Sequence, residues 1–162
     1  MRKLALVALS ALLLVFVAGR IRRALASPEQ ALRWQLEDML DGFNAPRVGP
    51  MIGGFHTDFR DESSGIGRED LKSALAYLVL THKDPATKDW NLEVELPDES
   101  ISIEMAEDQK RATVRVTPTF FITHGDARDV WWSAGATADF VHVDGRWRCL
   151  RTRGVNHAQR PE

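Results

Sequence analysis

General acid–base chemistry needs a titratable side chain inside a partly dry cavity, within hydrogen-bond reach of a substrate. Several residues of this 162-residue chain have the right type: Asp58 beside His56, Asp139, Arg115, and the histidines His82 and His142 with the single tyrosine, Tyr77. Alternation along a strand decides which of them could reach a cavity, because successive side chains point to opposite faces. Asp58 and His56 oppose Phe55 and Phe59, Arg115 opposes Val114 and Val116, and Asp139 opposes Ala138 and Phe140, so these groups are expected to face water. The side chains left to line an inner pocket are Tyr77, His82, Trp132, His142 and Arg151, and none is singled out as catalytic. Each histidine reads as a hydrogen-bonded rim or core residue ahead of a catalyst.

Other chemistry lacks its residues. The sequence has no His-x-x-x-His pair, no cysteine cluster, no phosphate-cradling glycine loop and no Gly-x-Ser-x-Gly elbow, so neither a metal nor a cofactor is expected. Cys149 is the only cysteine, which rules out an intramolecular disulfide and leaves it a small apolar strand residue.

The elements that must position the pocket residues fall in two blocks. Ser27-Pro28-Glu29-Gln30 is a capping-box start, after which Leu32, Leu36, Met39, Leu40 and Phe43 recur at helical spacing to about Asn44. Val48, Met51, Ile52 and Phe55 predict a second, shorter helix, and FHTDFRDESSG a brief strand and loop. A third helix follows Gly67, with Leu71, Leu75, Leu78, Val79 and His82 on one stripe. From Trp90 the period becomes two: WNLEVEL, Ile101–Met105, Val114–Ile122, Asp129–Val143 and Arg146 to about Arg153. Asp144-Gly145 joins the last two as a type I′ hairpin, setting His142 opposite Trp147, Phe140 opposite Cys149 and Asp139 opposite Leu150. Parity then puts Arg151 with Cys149 on the apolar face. Gly135 is a candidate bulge, and Trp131-Trp132 should face opposite sides, leaving one indole outside as an interface anchor or merely an edge residue.

Ahead of this domain, Leu4–Ala18 is an uncharged run between Arg2-Lys3 and Arg20, Arg22 and Arg23. As a helix it rises about 22 Å, or about 27 Å to Ile21, short of a bilayer core of roughly 30 Å but feasible with snorkelling arginines. Ala24-Leu25-Ala26 before Ser27 fits a cleaved signal peptide, whereas three intervening arginines oppose cleavage, so a single-pass anchor is the expectation. The flanking charges nearly balance, and the domain is expected outside the cytoplasm. Residues 1–26 hold five of the 21 basic residues and none of the 23 acidic ones, so the rest carries 16 against 23, a net charge of −7. That balance argues against nucleic-acid binding.

Helices first and an antiparallel meander after is an α+β pattern. The order of long helix, short helix, FHTDFRDESSGIGREDLKSAL and a meander closing in FVHVDGRWRCL resembles the nuclear transport factor two-like superfamily, which includes the SnoaL-like polyketide cyclases. The resemblance spans about residues 27–155, between the anchor or signal segment 1–26 and a tail, 156–162. It implies a cone-shaped domain with a curved sheet wrapped round helices and a pocket at the open end, so the expected α+β architecture is the N-terminal membrane helix followed by three helices packed on a curved antiparallel meander sheet. Three roles follow as expectations. The first is a membrane-anchored, non-enzymatic module that binds an apolar small molecule or a protein partner. The others are a small cofactor-independent isomerase, dehydratase or hydrolase with a His/Tyr pocket, and a structural component of a membrane complex. The expected partners are the membrane, through residues 4–21, an apolar small ligand, and a second copy through the outer sheet face.

Overall fold

Ser27 caps helix α1 (Pro28–Asn44) as its sequence predicts, its Oγ accepting a hydrogen bond from the Gln30 amide at 3.1 Å. A computed structural model of the chain describes residues 26–154. The anchor expected within residues 1–26 therefore falls outside the described residues, save for Ala26, as does the tail. Among the described residues no helix is long and apolar enough to cross a membrane. Helix α2 (Val48–Gly53), strand β1 (Phe55–Asp61) and helix α3 (Arg68–Thr81) complete the first half. At the start of α3, Gly67 N–H donates to the Asp70 carboxylate at 3.1 Å, and the acidic first turn suits the positive end of the helix.

The second half contains β2 (Leu92–Glu95), β3 (Ser102–Met105), β4 (Arg111–Val116), β5 (Thr119–His124), β6 (Ala127–Ser133), β7 (Ala136–Val143) and β8 (Arg146–Arg153). They form two sheets, ordered β1-β8-β7-β4-β3 and β2-β5-β6. This corrects the simple meander expected from the sequence in two respects. First, β1 joins the larger sheet parallel to β8, whereas the other pairings are antiparallel. Second, each of the two long strands is broken into a pair. Val114–Ile122 breaks at Thr117-Pro118, where proline has no N–H to continue a ladder, and Asp129–Val143 breaks at Ala134-Gly135. The breaks lie side by side, since Val116 pairs with Ala136 before them and Thr119 with Ser133 after them. Ser133 Oγ donates to the Pro118 carbonyl and lies 3.2 Å from Thr119 Oγ1, which ties the corner together.

The larger sheet closes its core against the first half of α1. Leu32, Phe59, Val114, Phe140, Trp147 and Cys149 are buried there as one cluster. Trp147 Nε1 donates to the Pro28 carbonyl at 3.0 Å, pinning β8 to the first turn of α1. Asp144 and Gly145 both have positive φ, 51° and 74°, as a type I′ turn requires. At the other end of α1, a Cβ on Gly42 would lie 2.9 Å from the Pro50 Cβ and 3.0 Å from the Met51 backbone nitrogen, so α1 and α2 approach too closely for a side chain.

Two predictions follow from this packing. Alanine favours a helix interior over glycine by about 1 kcal/mol, but overpacking against a backbone atom costs about 1–3 kcal/mol. Gly42→Ala should therefore lower the melting temperature by roughly 3–6 °C in circular dichroism, and a rise would show that the two helices can separate freely. The second concerns Asp61 at the end of β1. Burial pushes its carboxyl up, but hydrogen bonds from the Ser64 hydroxyl at 2.6 Å, Thr152 at 2.7 Å and the Ser64 amide at 2.8 Å hold it below the ordinary value of 3.8. A depressed folded-state pKa adds stability that is present above the unfolded value and lost as pH falls through the folded one. Stability to urea should thus drop below about pH 4. Asp61→Asn should flatten that slope while leaving other acid-side transitions in place.

Candidate hydrophobic binding site

Past the corner, the smaller sheet is tied to the end of α1, where Asn44 Oδ1 accepts from the Val94 amide at 2.8 Å and Asn44 Nδ2 donates to the Val94 carbonyl at 3.0 Å, and a hollow of about 480 Å³ lies between them and α3. Its walls follow from the periodicities in the sequence. Leu36, Met39, Leu40 and Phe43 supply one face of α1 at spacings of three and four, and Leu71, Leu75 and Leu78 supply the facing stripe of α3. Val94, Leu96, Val116, Pro118, Phe120, Trp131 and Trp132 come from the sheet side, with Met51 and Phe55 completing the lining. All sixteen lining side chains are apolar, so the hollow offers a ligand dispersion contacts and no ionisable partner.

Both adjacent tryptophans face it, which corrects the expectation that one would stand on the outer surface. Phe120 pairs with Trp132 but Phe121 pairs with Val130, so β6 carries a bulge at Trp131. Two residues then oppose one, alternation is suspended, and consecutive indoles share a face. The aromatic wall continues through ring contacts of Phe120 with Trp132 at 5.1 Å and with Phe43 at 5.6 Å.

Of the five side chains expected to line a pocket, the hollow includes Trp132. Tyr77 lies on the far side of α3 and is 66% exposed, because its position is out of phase with the Leu71–Leu75–Leu78 stripe. His82 caps the end of α3 and packs its ring against Trp131 at 5.3 Å, touching a wall of the hollow and not its interior. His142 packs against Trp147 at 5.3 Å as the hairpin register predicts, but it is exposed and sits beside the Asp144-Gly145 turn, away from the hollow. Arg151 is displaced by a second bulge. Phe140 pairs with Cys149 and Asp139 with Arg151, which leaves Leu150 extra and moves Arg151 off the face of Cys149. Its Nη1 instead lies 3.5 Å from Glu62 Oε1, and its Nε 3.9 Å from Asp139 Oδ2. The two histidines and Tyr77 thus do not meet.

Ionic groups gather on the outer face of the larger sheet. Asp139 accepts from Arg153 Nη2 at 2.7 and 2.8 Å and from Thr113 Oγ1 at 3.1 Å, and Arg115 pairs with Glu104 at 3.5 Å. Asp58 has a side chain 83% exposed. On the outer face of the smaller sheet, Arg128 lies 3.6 Å over the Phe121 ring and pairs with Glu93 and Glu95 at 3.2 and 2.7 Å, bridging β6 to β2 across β5. Cys149 is 2% exposed; burial, and secondarily the Asp139 carboxylate, push its thiol up to about 12, so it stays protonated and unreactive. Among the described residues no three His, Cys, Asp or Glu side chains are grouped to hold a metal ion.

A bent antiparallel wall wrapped on helices, with an apolar hollow at one end, defines a class of α+β domain. The chain has the nuclear transport factor two-like, cystatin-like fold. It superposes on a variant of a function-unknown protein from Mycobacterium tuberculosis with a TM-score of 0.64 at 15% identity, covering 80% of this chain and 76% of that one. A scytalone dehydratase candidate from Novosphingobium aromaticivorans matches with a TM-score of 0.61 at 15% identity, over 82% and 89% of the two chains. A nuclear transport factor two-like protein with a cystatin-like fold from the same species gives 0.62 at 12% identity, over 88% and 90%. No family model and no curated protein matches the chain.

Proposed function

We propose that this protein is a membrane-tethered, non-enzymatic module that binds an uncharged apolar small molecule in the hollow between α1, α3 and the smaller sheet. The observation that carries this reading is the lining itself: sixteen apolar side chains around about 480 Å³, a size within the range of small-molecule sites. Burying a charged group among them without a partner would cost several kcal/mol, so the lining selects against ionised ligands. Acid–base catalysis would require a titratable side chain in contact with the bound molecule, and His82, the nearest candidate, is in contact with Trp131. Likeness to a scytalone dehydratase candidate concerns the fold alone, and one fold hosts many activities. The tether is assigned to residues 1–26 on their apolar run and basic flanks.

Native mass spectrometry of the gently extracted full-length chain tests the binding reading. The native chain should retain an apolar molecule, or take up an added uncharged aromatic probe such as a naphthalene derivative. Leu75→Asp should lower that occupancy at least tenfold, because it introduces a carboxylate into the lining. No residue of α3 is buried, so the variant should keep its far-ultraviolet circular dichroism. A native chain that neither retains nor takes up any apolar molecule contradicts the proposal.

A further inference from the structure

Helix α3 has a composition that water does not explain. From Ala74 to Leu80 it runs seven residues with no charged or amide side chain, and a helix apolar all round normally belongs in a core or in lipid. None of its residues is buried. Its inner stripe fronts the hollow, whereas Tyr77 and Leu80 on the other side are 66% and 72% exposed. The two hydroxyl residues on that outer side, four positions either way from Tyr77, are already satisfied. Ser73 Oγ donates to the Glu69 carbonyl at 3.0 Å and Thr81 Oγ1 to the Tyr77 carbonyl at 2.8 Å. Hydroxyls turned onto the helix's own carbonyls suit a surface meeting a phase without hydrogen-bond partners. Exposed Lys72 and Lys83 flank the face, on stems long enough to reach past an apolar boundary.

We propose that the Tyr77–Leu80 face of α3 rests on the lipid surface to which the N-terminal segment tethers the domain. This inference builds on the tethered, ligand-binding reading above and gives it a ligand source. With its outer side on the bilayer and its inner side on the hollow, α3 is the wall through which an uncharged, membrane-dissolved molecule passes. Two exposed apolar side chains are a weak anchor alone, but a tether raises the effective concentration of lipid at the domain to the millimolar range or above. Six residues separate Ile21 from Pro28, a reach of about 20 Å, so the start of α1 stays within that distance of the bilayer. The net charge of −7 beyond residue 26 makes the contact apolar rather than an attraction to anionic headgroups.

The test uses the full-length chain in phosphatidylcholine nanodiscs, with an environment-sensitive fluorophore on Ala74→Cys, an exposed position of α3 three residues before Tyr77. A control label on Glu107→Cys occupies the β3–β4 turn, and buried Cys149 does not compete for the reagent. Acyl-chain quenchers should quench the Ala74→Cys label several-fold more than the control, and adding Tyr77→Ser with Leu80→Ser should abolish the difference. Equal quenching of both labels in chains that remain in the nanodiscs overturns lipid docking and leaves ligand binding untouched. Failure of the chain to enter nanodiscs at all removes the tether on which the proposal stands. Shielding of the Ala74→Cys label that grows with protein concentration, with no lipid quenching, identifies a second copy as the occupant and likewise overturns it.

Discussion

The structure depends on one constraint, the alignment of two strand breaks. Proline at position 118 cannot continue a ladder, and Ala134-Gly135 interrupts the neighbouring strand at the level where Val116–Ala136 pairing ends and Thr119–Ser133 pairing begins. Because the breaks coincide, the two-stranded ribbon turns as a unit from the larger sheet into the smaller one. Had they been offset, one strand would leave unpaired backbone groups at the bend, at the cost of lost hydrogen bonds. The consequence is a division of α1. Its first half buries Leu32 against Trp147 and Phe140 of the larger sheet, and its second half meets the smaller sheet through Phe43 and Asn44 with the hollow alongside.

Much of this architecture was legible in the sequence because it is locally encoded. Ser27 and Pro28 mark the start of α1, the switch from a period of 3.6 to one of 2 marks the change from helix to strand, and Asp144-Gly145 fixes both turn type and register. The hollow's walls were partly legible too, since Leu36, Met39, Leu40 and Phe43 form an evident stripe. The bulges were not. An extra residue is a decision about pairing, made where two strands of unequal length must share neighbours, and neither Trp131 nor Leu150 bears a local mark of it. Each bulge reversed a face: Trp131 moved in to join Trp132, and Arg151 moved out to join Asp139. Tyr77 failed for a simpler reason, being out of phase with the stripe it flanks.

Chemistry and packing are thus segregated. The carboxylate and guanidinium groups of the sheets meet one another on outer faces, as in the Asp139–Arg153 and Arg128–Glu95 pairs, where screening makes them worth little to stability. The interior is left to side chains that cannot transfer a proton. Helix α3 occupies an intermediate position, with one side toward the hollow and the other toward solvent, and none of its residues reaches the burial that fixes a core. A helix held in this way has a low cost of displacement, which suits an element next to a binding site.

The central claim is that the hollow is a ligand site. Methionine methyl groups report on it directly, since Met39 and Met51 line it whereas Met105 packs against the core of the larger sheet, outside that lining. In a nuclear magnetic resonance titration of ¹³C-methyl-methionine protein with an uncharged aromatic probe, the Met39 and Met51 signals should shift saturably while Met105 stays in place. Unchanged Met39 and Met51 signals at probe saturation, or equal shifts at all three, would contradict the account.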